Sequence, residues 1–417
     1  MTLYLKTLAL VSLLLSQVFA NDELSDFIPS QESAWDYFGE VQIRAARREV
    51  KANRAGISDT KLLNYNALQL HLNYTNDGFY FEATPYAYGY RGESDFRPSG
   101  PNFSEPFSKQ DFFFRTLYAS YSVGKLTFGM GVLPMSNSFP NQFKRDYYQD
   151  GEGINILSDI DPLAIFMKYK ISEDNQILFG AGYIDTHFVP SGKYYNQHNL
   201  HKTYGIFAKQ IMYVDKFQIL NDLTYTKAMY NKKDAGEFYG YGFGISWDDS
   251  EYSGLTVYNT LGLSLYKNNS INVQSDILSD LGLGAVPPLY AANFSFDTNR
   301  YTGAANLLGF RKDIDYFDFE SFINLEWFHV MGDWTSANKG SPYHGDGNYM
   351  SNIRDNSYYI AYGIKVNRDI SVRLSYSYME FDEKENIGAP SSVPSENSYG
   401  PQLSSINLTK LIFYYNF

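Results

Sequence analysis

The chain is 417 residues long with a formal net charge of −12; its 38 Tyr and 31 Phe help make it 18% aromatic, and it has no cysteine. The acidic balance argues against nucleic acid as a partner, and the absence of thiols excludes disulfides as a source of stability. Beyond the N-terminus no stretch is long and apolar enough to cross a bilayer as a helix, which leaves soluble folds or a membrane protein made of strands.

Residues 1–20 read as a secretory signal peptide, with Lys6 near the start, an apolar run from Leu8 to Leu15, and Val18-Phe19-Ala20 before a cut at Asn21. The run is too short for a membrane anchor, which needs roughly 20 apolar residues. Residues 21–34, acidic and ending before Trp35, read as a short periplasmic lead-in.

From Trp35 onward the chain alternates. Successive side chains of a strand point to opposite faces, so a wall standing in lipid reads apolar outward and polar inward at period two. Leu68, Leu70, Leu72 and Tyr74 share one parity against Gln69, His71 and Asn73, and Asn76-Asp77-Gly78 follows as a hairpin turn. Later, Tyr239, Tyr241, Phe243, Ile245 and Trp247 oppose Gly240, Gly242, Gly244 and Ser246, and Ile370, Val372, Leu374 and Tyr376 oppose Ser371, Arg373 and Ser375. Sixteen such runs are expected, at 35–46, 66–75, 79–90, 112–123, 125–134, 162–171, 176–187, 202–213, 217–229, 236–247, 254–266, 300–311, 316–330, 357–366, 370–381 and 404–417. Short and long connections alternate between them, which puts both ends of residues 35–417 on the short-turn side. The expected fold is all-β: a transmembrane antiparallel up-and-down barrel with short periplasmic turns and long extracellular loops. Eighteen strands is the alternative, because Ile271 to Leu283 and Leu289 to Phe296 could supply another hairpin within 267–299.

In the last run Leu411, Phe413, Tyr415 and the terminal Phe417 share one parity. This segment resembles the C-terminal signature of bacterial outer-membrane proteins, which implies recognition by the outer-membrane assembly machinery and residence in the Gram-negative outer membrane. Over 35–417 the layout resembles that of general porins, sixteen-stranded barrels that usually trimerise and whose third long loop folds inward. The resemblance implies passive diffusion of ions and small hydrophilic solutes through a water-filled channel, with a homotrimer in the bilayer. It also implies a constriction at the third long loop, 135–161, which carries Lys144, Arg145, Asp146, Asp150, Glu152, Asp159 and Asp161. Folded inward, that loop is an acidic lip; left outside, it is a solvated surface loop.

By parity the inward basic residues Arg44, Lys365, Arg373 and Lys410 become neighbours only if the first strand pairs with the last, and Lys168, Lys170 and Lys209 add cations elsewhere. Inward acids are Glu40, Glu82 and Asp222, with a ladder of Asp318, Glu320 and Glu326. Opposed charges across an aqueous gap set a transverse field; the plainer reading is that each charge merely solvates the wall. Tyr80, Tyr86, Tyr88 and Tyr359 also face inward and could line a substrate-specific channel, one alternative function. A barrel that only mounts surface-binding loops is another. Catalysis is not expected: none of His71, His187, His198, His201, His329 or His344 stands in the His-x-Ser pattern of outer-membrane phospholipases, and no nucleophile elbow occurs. No cofactor or metal is expected either, since His187, His198 and His201 read as exposed loop residues and His344-Gly345-Asp346-Gly347-Asn348 lacks the terminal Glu of a calcium loop.

Overall fold

The computed structural model describes residues 34–52, 57–92, 107–133, 135–136, 159–160, 163–184, 203–230, 233–269, 300–316, 319–332, 356–380 and 405–417. Its strands are β1 (Ala34–Ala52), β2 (Ile57–Asn76), β3 (Phe79–Gly92), β4 (Phe107–Val123), β5 (Leu126–Val132), β6 (Met135–Ser136), β7 (Asp159–Ile160), β8 (Leu163–Ser172), β9 (Asn175–Ile184), β10 (Thr203–Val214), β11 (Phe217–Tyr230), β12 (Lys233–Asp249), β13 (Leu255–Asn268), β14 (Arg300–Tyr316), β15 (Phe319–Gly332), β16 (Asn356–Lys365), β17 (Ile370–Glu380) and β18 (Ser405–Asn416). All except β6 and β7 make one closed barrel in which each strand pairs with its chain neighbours and β1 pairs with β18. The wall therefore closes at sixteen strands, and β13 pairs directly with β14 from Leu255↔Lys312 to Lys267↔Arg300. The eighteen-strand alternative has no place in that wall.

A closed wall leaves no strand with an open edge, so every strand finds hydrogen-bond partners on both sides. The last link is made by Gly39 and Phe417, which exchange N–H···O bonds of 2.9 Å in both directions. Parity then sorts the side chains. Leu68, Ile206, Leu223, Leu263, Ile360, Leu374 and Leu411 are exposed on the outer surface, while Gln42, Gln69, Thr84, Thr224, Ser246, Thr260 and Ser375 are buried on the inner one. At Asp77 and Gly78 both φ angles are positive, 41° and 79°, the geometry of a tight hairpin turn whose twist matches its strands.

Two local features depart from a regular wall. Pro85 has no N–H to give its neighbour, and there the β3–β4 register shifts, from Thr84↔Thr116 to Pro85↔Phe114. Arg115 becomes the extra residue of a bulge, so that Phe114 and Leu117 both stand exposed. The first long connection, expected over 47–65, is instead mostly strand: β1 and β2 stay paired out to Ala52↔Ile57. Arg48, Glu49 and Lys51 pair with Lys61, Thr60 and Ser58 there, with Val50 opposite Asp59 and Arg47 opposite Leu62, so no continuous apolar parity marks the ladder in the sequence.

Candidate functional site

Pairing β1 with β18 brings the expected basic residues together on the inner wall. Arg44 and Arg373 flank Ile412, one from each side, and Lys410 lies two residues along β18 opposite Ala46 and Ser375. All three cations are at most 4% exposed. Alternate inward positions of β1 support the first: Arg44 Nε and Nη2 donate to Gln42 Oε1 at 3.1 and 2.5 Å, and Gln42 Nε2 donates to Glu40 Oε1. Arg373 donates to the Tyr414 hydroxyl and lies 5.3 Å from that ring's centre.

The floor beneath these cations is apolar. Phe322, Ile412 and Tyr414 form one buried cluster, and the Arg311 guanidinium sits 4.2 Å over the Phe322 ring while bonded to Asp313 at 2.8 Å. A flat guanidinium is weakly hydrated and stacks on ring faces, so it can stay charged on such a surface. Arg311 escaped sequence analysis because its strand was expected to end there; it runs on to Tyr316, and counting parity through that end would have found it.

Lys365 is held apart from this patch by an ion pair with Glu320, 2.8 Å long. The acidic ladder is likewise not a free row: Glu320 is so engaged, Glu326 accepts the Tyr258 hydroxyl, and Asp318 lies outside the described residues. Lys209 stands directly opposite Asp222 across β10 and β11, and Lys170 bonds Glu173 at 2.6 Å beside a short turn. On the β2–β4 side Glu82 accepts hydroxyls from Tyr80 (2.9 Å), Tyr118 (3.0 Å) and Thr116 (2.9 Å). Beside it Thr84 and Gln69 bond the two nitrogens of His71, whose ring stacks on Phe38 at 4.3 Å.

Inward aromatic rings lie along the wall because glycine on the next strand lets them. A Cβ on Gly309 would come within 1.9 Å of the Tyr258 ring, on Gly363 within 2.2 Å of Phe322, on Gly180 within 2.0 Å of Phe207, and on Gly129 within 2.4 Å of Phe166. Each ring thus covers a neighbour's bare backbone instead of standing out into the lumen. The same device works outside at the seam, where the Phe417 ring covers Gly39. Of the expected tyrosines, Tyr86 and Tyr359 are inward and buried and Tyr80 is inward; the Tyr88 side chain lies outside the described residues. The continuous aromatic row is Tyr80, Tyr118 and Phe166, with ring centres 5.8 and 6.0 Å apart.

Loop 135–161 is clasped at its ends, where Met135 pairs with Ile160 and Ser136 with Asp159. Lys144, Arg145, Asp146, Asp150, Glu152 and Asp161 lie outside the described residues. Leu411, Phe413, Tyr415 and Phe417 point outward from β18 as expected.

No protein-family model matches the sequence, and no curated protein is significantly similar to it. Solved structures are similar in fold. The anion-selective porin from Comamonas acidovorans is 11% identical with a TM-score of 0.50, the match covering 93% of this chain and 100% of that one. The outer-membrane protein OmpT of Vibrio cholerae is 10% identical with a TM-score of 0.50, covering 94% and 99% respectively. The fold is that of outer-membrane porins. At such identities the likeness concerns architecture alone.

Proposed function

We propose that this chain is an outer-membrane porin through which ions and small hydrophilic solutes diffuse passively. The observation that carries the reading is the closed sixteen-strand wall with charged and hydroxyl side chains inside and apolar ones outside. Barrels of about this strand number enclose more space than their own wall side chains fill, leaving an aqueous channel. In this reading residues 1–20 are a signal peptide removed after export, 21–34 form a periplasmic lead-in, and Leu411, Phe413, Tyr415 and Phe417 present the assembly signal. Copies associate in the bilayer, as a homotrimer. Loop 135–161 folds inward so that Asp146, Asp150, Glu152, Asp159 and Asp161 face Arg44, Arg373 and Lys410 across the constriction, with Lys365 and Glu320 as a neutral pair below. Liposome swelling tests the reading: in iso-osmotic solutions of neutral sugars the rate should fall with solute size, and vesicles that never swell would contradict diffusion.

One observation favours a second reading. The row Tyr80, Tyr118 and Phe166, tilted and edge-to-face to one another, offers aromatic surface to a sugar ring, so a substrate-specific channel would show block of ion current by one saccharide that saturates with concentration and weakens in Tyr118→Ala.

A further inference from the structure

Wall carboxylates elsewhere stand against cations: Glu320 pairs with Lys365, Asp313 pairs with Arg311, and Asp222 lies opposite Lys209. Glu82 differs. Among the described residues its partners are three hydroxyls, those of Tyr80 and Tyr118 on Oε2 and that of Thr116 on Oε1. Hydroxyl donors fix where a carboxylate sits and leave its charge uncancelled, so this part of the inner wall holds a negative charge that the described residues do not match with a cation.

Rings surround that charge. Tyr80 and Tyr118 are tilted by 45° with centres 5.8 Å apart, and Tyr118 meets Phe166 at 74° and 6.0 Å. β5 runs between the strands of Tyr118 and Phe166 and pairs with these two residues through Gly131 and Gly129, so no side chain of β5 stands between the rings. Tyr80, Glu82, Tyr118 and Phe166 are each half-buried, neither sealed in the wall nor standing free of it. Glu82 is the fourth residue of β3 after the Asp77-Gly78 turn, which puts the cluster in the short-turn half of the barrel and on strands other than those of the basic patch.

Aromatic rings turn a negative face to a cation, and a phenol that donates its proton to a carboxylate has a richer face still. A flat sugar ring stacks best on coplanar rings, whereas rings set at 45° and 74° make a corner that suits a compact, rounded guest. A quaternary ammonium meets these conditions. It spreads its charge over methyl groups that pack against ring faces, and it has no N–H, so it asks nothing of carboxylate oxygens already engaged by hydroxyls. We propose that Glu82, Tyr80, Tyr118 and Phe166 form a lumen site for small quaternary ammonium solutes of the choline type. The proposal rests on the water-filled lumen stated above and gives the aromatic row a cationic guest in place of a saccharide.

Two readouts separate the site from the passage. In planar bilayers choline should lower the single-channel potassium current in a way that saturates with concentration, and neither glucose nor the neutral analogue of choline with carbon in place of nitrogen should do so. In saturation-transfer NMR on the folded protein in polyoxyethylene detergent, the choline methyl protons should receive magnetisation whether or not the barrel conducts. Glu82→Gln keeps an acceptor for the tyrosines and removes the charge, so it should weaken choline affinity by at least about tenfold. Tyr118→Phe should retain the binding that Tyr118→Leu loses. A silent bilayer with choline still bound would support the site and overturn the open passage alone. A conducting channel with neither saturable block nor saturation transfer would overturn the site. So would an equal response to choline and its neutral analogue, block by glucose instead of choline, or wild-type affinity in Glu82→Gln.

Discussion

Gly309→Ala tests whether inner-wall rings lie flat because a glycine lies beneath them. The added Cβ would stand 1.9, 2.0 and 2.4 Å from Tyr258 Cζ, Cε2 and the hydroxyl oxygen, against about 3.5–4.0 Å for ordinary contact. No adjustment of a few tenths of an ångström removes such a clash, so the ring must leave the wall, and its hydroxyl then loses Glu326 and Asn324. A hydrogen bond to a charged group contributes about 1.5–3 kcal/mol and overpacking costs about 1–3 kcal/mol, so together the variant should lose on the order of 3–6 kcal/mol. Urea titration of folding into lipid vesicles reads this directly. In Gly309→Ala/Tyr258→Ala the clash vanishes, and the two changes should cost at least 1 kcal/mol less than their sum, within the range of coupled neighbours. The displaced ring should also lower single-channel conductance in Gly309→Ala. A variant as stable as wild type, or strictly additive costs, would refute the reasoning.

Three further outcomes follow from the same wall. Leu261 pairs with Phe243, midway between Trp247↔Val257 and Tyr239↔Leu265, so Leu261→Arg should destabilise the folded barrel in vesicles by about 2–4 kcal/mol; a cost within error of zero would mean that this face does not meet hydrocarbon. Removing residues 137–158 should raise single-channel conductance if that loop narrows the lumen, and unchanged conductance would place it elsewhere. At the short-turn rim Lys216 bonds Asp249 and holds its carboxyl below the usual value, while Asp249 holds the ammonium above its own. A depressed carboxyl stabilises above its unfolded pKa, about 3.9, and that contribution is lost as pH falls through the lower folded value. Raised, the ammonium contributes below its unfolded value and loses this as pH climbs through the folded one. Asp249→Asn should therefore lower the urea midpoint at pH 7 and match wild type in strong acid; a deficit that persists in acid would argue against the pair.

The strand number and facing of the wall were legible because lipid imposes one rule on every segment it touches. Val257 to Leu265 and Tyr358 to Ile364 obey it without exception beyond Asn259, whose amide bonds Asn306 at 3.1 Å on the same outer surface. Where water replaces lipid the rule lapses, which is why the paired extension from Arg47 to Ala52 read as loop. Arg44, Arg373 and Lys410 could be grouped from parity plus closure alone, since both are properties of backbone geometry. Pairing among side chains was not legible: nothing in the order of residues says that Lys365 answers Glu320, or that Tyr258 reaches Glu326 over Gly309. Those contacts depend on register between strands far apart in the chain.

Reconstitution into a planar bilayer probes the central claim with the fewest intermediate assumptions. The purified, folded chain should insert in discrete, long-lived steps of ohmic ion current whose size scales with bulk salt conductivity. A folded protein that inserts and leaves the bilayer electrically silent would contradict a water-filled passage.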